Sequence, residues 1–170
     1  VSPGSVYLQS ALADEPRLRV NSLTPAEYDE SVRADLSIFD RWAPEEPPPG
    51  PALLFLPPNV GWLAPTVAIL TQPAVSGWDP DHPLMRFVSL EDLRVDRAVR
   101  FLGAAGAPGG AGGAPAGPGT MGTSSDVEVI VGMTELPLMI ATEVPQKIIR
   151  VAFALEDSNF PLQPAFPIFL

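Results

Sequence analysis

Cysteine is absent from the 170 residues, and histidine occurs once, at His82. Without cysteine there is no disulfide, no thiolate nucleophile and no zinc–thiolate site. One histidine cannot build a His-rich metal centre, and any Ser-His-Asp arrangement would have to use that residue. No metal or cofactor is therefore expected. Charge is also sparse: 18% of residues are charged, with 20 acidic against 10 basic side chains and a net charge of −10. An acidic surface repels phosphate backbones, which argues against nucleic acid and against docking on anionic lipid. No apolar run approaches the roughly 18 residues of a membrane-spanning helix, so contact with a membrane is expected only through a segment outside these residues. The opening VSPGS is not an intact signal peptide. It and the closing FPLQPAFPIFL, an apolar pattern that stops midway, both read as cuts within a longer polypeptide.

Apolar residues are plentiful at 46%, enough for one domain with a real core. Ser5 is placed to cap a helix over residues 6–12, with Val6, Leu8, Ala11 and Leu12 as its apolar set. Residues 17–23, RLRVNSL, alternate like an edge strand. Thr24-Pro25-Ala26-Glu27 predicts a capping box opening a helix to about Arg33. Short apolar runs at 36–39 and 53–56 predict buried parallel strands, joined by the Pro-rich bridge at 43–51. Further strands are expected at 67–70 and 93–102. Residues 103–125, mostly Gly, Ala and Pro, predict a flexible insertion. Runs at 127–133, 137–142 and 147–155 predict an antiparallel meander, followed by a last helix near Pro161. Leu162, Phe166, Phe169 and Leu170 would form its buried face, with Ile168 outside it. The expected fold is α/β: a parallel sheet covered on both faces and extended by an antiparallel meander.

The segments VSPGSVYLQSAL, LTPAEYDE, ADLSIFDRWAP, PALLFLPP, WDPDHPLMRFVSLEDLRV, PLMIATE and IIRVAFALEDSNFPLQPAFPIFL carry a resemblance over nearly the whole chain outside 103–125. In this order they resemble the region after the von Willebrand A domain in bacterial membrane proteins of the aerotolerance-regulator BatA type. That region is similar to class I glutamine amidotransferases. The resemblance implies a flavodoxin-like three-layer sandwich, with residues 1–170 as a single amidotransferase-like domain. It also implies a membrane-anchored protein with this domain on the extracytoplasmic, periplasmic side, and a protein partner in the adjacent von Willebrand A module. The catalytic roles of the amidotransferases do not carry over, because their nucleophile is a cysteine. The expected elbow strand at 53–56 instead runs into Pro57-Pro58-Asn59, and two prolines remove backbone donors that an oxyanion hole needs.

Candidate site residues fall in three places. In open α/β sheets ligands bind beyond the carboxyl ends of the strands, where Asp40-Arg41-Trp42, Pro57-Pro58-Asn59 and Glu156-Asp157-Ser158 are expected. The acidic and aromatic side chains there could hold a polar ligand or a partner loop; alternatively the charges pair with neighbours and Trp42 packs under the bridge. His82, beside Asp79 and Asp81, reads either as a general base or metal ligand, or as part of a structural loop in which Asp81 or His82 caps the turn at 83–87. Trp62 and Trp78 could present a stacking surface for sugars, or anchor core and loops. The glycine-rich tract lacks the Lys-Ser/Thr of a phosphate loop. Two functions follow: a non-catalytic interaction or scaffold domain, or a hydrolase or sugar-processing enzyme using His82 and nearby carboxylates.

Overall fold

Along Ala52-Leu53-Leu54-Phe55 all four side chains are buried, and successive residues enter opposite cores. Leu53 and Phe55 join the larger core, while Ala52 and Leu54 join the smaller one. A strand that is apolar on both faces belongs inside a sheet with both sides covered, and this one lies one strand in from the sheet edge.

The computed structural model describes residues 1–13, 15, 17–75, 77–102, 127–133, 136–143 and 146–170. The insertion expected at 103–125 lies outside the described residues, as do parts of the two meander joints. Eight strands are described: β1 (Ser37–Asp40), β2 (Ala52–Phe55), β3 (Thr66–Thr71), β4 (Gly77–Trp78), β5 (Arg97–Phe101), β6 (Val127–Met133), β7 (Leu136–Thr142) and β8 (Ile148–Val151). Six of them form one mixed sheet in the order β1-β2-β8-β7-β6-β4. β1, β2 and β8 are parallel, and β7, β6 and β4 continue the sheet antiparallel. The expected parallel sheet with an antiparallel extension is therefore present. β3 and β5 pair separately as an antiparallel ribbon, tied to the sheet where Val99 N–H donates to Ala152 O at 2.7 Å.

Helix is scarce among the described residues. There are two α-helices, α1 (Val6–Ala13) and α2 (Ala165–Phe169), and four single 3-10 turns. The larger core joins β2, β6, β7 and β8 to α1 and α2 and to the segment around Met85–Leu93. Phe160 is its aromatic hub, with ring centroids 6.4 Å from Phe153, 5.2 Å from Phe166 and 5.4 Å from Phe169.

Several local expectations are corrected. Residues 17–23 form no strand, and Leu18 and Val20 stay 51% and 46% exposed. Leu23 O accepts from Ser2 N–H, and among the described residues no strand lies beside the segment to complete a ladder. The capping box at Thr24 exists, with Thr24 N–H donating to Glu27 Oε2 at 2.9 Å. The helix nevertheless stops after the turn Pro25–Glu27. Tyr28 is extended, its ring packs on Phe39 and Trp42, and Asp29 accepts from Ser31 N–H, an Asx turn that competes with helix. β8 ends at Val151 rather than continuing to Leu155: Ala152 N–H still donates to Leu138 O in register with β7, and the chain then enters the 3-10 turn Leu155–Asp157. Val6 is 64% exposed, so Leu8 carries the buried face of α1. At the end of the chain Phe166 and Phe169 are buried and Ile168 is exposed, as the spacing predicts, but Leu162 is 76% exposed. It sits in a separate 3-10 turn, Phe160–Leu162, out of phase with α2.

Candidate functional site

The parallel strands β1 and β2 end side by side, with Asp40 opposite Phe55. The next residues, Arg41 and Leu56, both take left-handed backbone conformations, at φ 51° and 42°. Such values are uncommon outside glycine and persist where surrounding bonds over-determine them. Here Arg41 N–H donates to Phe55 O at 2.8 Å, and Leu56 N–H donates to Val151 O at 2.9 Å. The carboxyl edge of the sheet is thus stitched strand to strand.

Asp40 is fully buried. Its Oδ2 accepts from the Ser2 hydroxyl at 2.8 Å and from Arg41 Nη2 at 3.4 Å. Its Oδ1 has no hydrogen-bond partner among the described residues. Ser2 accepts in turn from the N–H groups of Gly4 and Ser5, so one hydroxyl joins β1 to the entry of α1. Arg41 reaches on to Glu156 Oε1 at 3.1 Å, linking the end of β1 to the segment after β8. Trp42 turns the other way, into a ring cluster with Tyr28 and Phe39 at 5.2 and 5.8 Å. Trp62 meets the Pro-rich bridge, its indole N–H donating to Pro44 O at 2.9 Å.

The other candidates are clips. Asn59 Oδ1 accepts from the N–H and hydroxyl of Thr66, at 2.7 and 2.9 Å, and holds the entry of β3. Asp157 Oδ1 accepts from Arg97 Nη2 at 2.8 Å and Nε at 3.2 Å, fastening the ribbon. The Ser158 hydroxyl donates to Leu155 O at 3.2 Å. Asp79 Oδ1 accepts from Asp81 N–H at 2.9 Å, an Asx turn. His82 caps the next turn, its Nδ1 accepting from Leu84 N–H at 3.2 Å. That bond puts the ring proton on Nε2, which faces Glu128 Oε2 at 3.4 Å. The Nδ1 lone pair is thereby committed to a backbone N–H.

Of the eight candidates, Asp40 and Arg41 stand together as an ion pair, and the remainder serve separate joints. Sequence reasoning missed Ser2 and Asn159. Asn159 is the densest clip: Oδ1 accepts from Arg94 N–H at 2.7 Å, and Nδ2 donates to Asp92 O at 2.8 Å. Its position after Glu156-Asp157-Ser158, in a capping stretch, was the available signal. An open depression of about 250 Å³ between Gln72–Val75 and Leu93–Asp96 contains none of the eight. Among the described residues no cluster of metal-ligating side chains occurs, and no helix is long and apolar enough to cross a membrane. No family model, curated protein or solved structure matches this chain.

Proposed function

We propose that the chain is a non-catalytic interaction domain of a membrane-anchored bacterial protein, and that it docks on a neighbouring von Willebrand A module on the extracytoplasmic side. The amidotransferase-like, flavodoxin-like architecture belongs to this reading, with much of the helical covering replaced here by loops, single turns and the β3–β5 ribbon. One observation carries it. The polar groups at the carboxyl edge, where this fold class places its chemistry, are engaged in holding chain segments to one another. A general base needs an uncommitted lone pair within reach of a proton on the substrate. The hydrolase reading must therefore release His82 from Leu84 before it can begin.

Titrating a purified von Willebrand A module of the resembled family into the isotope-labelled chain tests the proposal. Saturable backbone shifts at Arg41, Trp42 and Glu156 are expected. An unchanged spectrum at high micromolar module would overturn the docking reading.

A further inference from the structure

Arg150 stands mid-sheet on β8, between Leu54 of β2 and Ile140 of β7, and is only 5% exposed. Its Nη1 donates to Ala64 O at 3.1 Å. Its Cζ lies 4.6 Å from the centroid of the Phe101 ring. No carboxylate among the described residues comes within ion-pair distance of it. Burial pushes its pKa down to about 10, so it is still a cation at neutral pH. A buried charge without a counter-charge is one of the costliest arrangements a fold can hold. The contrast with Asp40 is direct, since that buried carboxylate meets both a hydroxyl and a guanidinium.

The remaining donors have a definite geometry. Nη1 is used, while Nε and Nη2 donate to no described residue and are not sealed from solvent. The guanidinium carbon sits over the Phe101 ring. What is left without a partner among the described residues is the Nε–Nη2 edge, the side of arginine that grips two oxygens of one carboxylate or phosphate in parallel hydrogen bonds. We propose that the Nε–Nη2 edge of Arg150 is an oxyanion-binding fork, taking a carboxylate or phosphate group in the plane of the guanidinium. The site is independent of the docking edge. Its ligand is either a small free oxyanion or the acidic side chain of a protein partner. Ala64 precedes β3 and Phe101 ends β5, so a bound oxyanion would also fix how the ribbon sits on the sheet.

The whole chain is titrated in three arms at constant ionic strength against sodium chloride: sodium phosphate, sodium acetate, and a blocked Glu-Gly-Glu-Gly-Glu peptide. The readouts are Tm and the Arg150 Nε–H resonance. The expected result is a saturable movement of that resonance with a rise in Tm in at least one arm. Arg150→Met should lose the Tm rise, and Arg100→Gln, which alters an exposed arginine, should keep it. A response to phosphate or acetate alone identifies a free oxyanion, and a response to the peptide identifies a partner side chain; either supports the fork. An Arg150 Nε–H resonance unmoved in all three arms overturns it, whether or not Arg150→Met folds. A Tm rise retained in Arg150→Met overturns it equally.

Discussion

Arg41 and Leu56 leave adjacent parallel strands at the same level, both left-handed and each bonded through its N–H to the next strand of the sheet. This pairing makes a prediction about backbone shape. Leu56→Gly relieves the left-handed strain while losing a half-buried side chain, so it should fall within about 1 kcal/mol of wild type. Leu56→Val places a β-branched residue at positive φ and should cost about 1–3 kcal/mol. Urea denaturation of both variants checks the order, and equal losses would contradict it.

Asn159 should matter more than its modest burial suggests. Its side chain holds both Arg94 N–H and Asp92 O, fastening the segment before β5 to the segment after β8. Asn159→Ala should destabilise by about 1–3 kcal/mol, the scale for leaving two backbone groups without their partners. Asn159→Asp keeps the acceptor and should recover part of the loss.

Two residues of the turn Phe160–Leu162 should behave oppositely. Phe160 touches three other phenylalanine rings, and Phe160→Ala should cost about 3–5 kcal/mol. Phe160→Leu should lose less, because it keeps most of the volume. Leu162 is 76% exposed, and Leu162→Ala should change stability by no more than about 0.5 kcal/mol. Thermal unfolding of the three variants decides this.

The capping box at Thr24 gives a pH prediction. The backbone hydrogen bond from Thr24, then the bond from its hydroxyl, holds the Glu27 carboxyl below its ordinary value of 4.5. A depressed carboxylate contributes its stability above the unfolded pKa and loses it as pH falls through the folded one. The stability gap between wild type and Glu27→Gln should therefore narrow from pH 6 toward pH 3. A gap that widens on acidification would contradict the assignment.

The sheet was legible where burial is two-sided. The apolar run at 53–56, found as a strand at 52–55, and those of the meander have few alternatives, because period and composition agree. Residues 17–23 alternate equally well, yet alternation describes one strand and cannot supply its neighbour. The helix expected to reach Arg33 failed because the Asp29 side chain offered the backbone a competing bond, a local choice that the capping box did not reveal. The cap at His82 was legible from Asp-His-Pro turn chemistry. The Asp40–Arg41–Glu156 link was half legible: strand ends put Asp40, Arg41 and Glu156-Asp157-Ser158 at one edge, while which side chains meet there depends on how the segment after β8 turns. Arg150 sat inside an expected strand, and its burial depends on the ribbon that folds over it.

The central claim is that His82 and the carboxyl-edge groups hold the fold and perform no turnover. The most direct measurement is hydrolysis of a panel of amide, ester and glycoside substrates by wild type and His82→Gln, with near-ultraviolet circular dichroism confirming that both are folded. The account predicts rates at the buffer background for both proteins on every substrate. Turnover by wild type that disappears in a folded His82→Gln protein would contradict it.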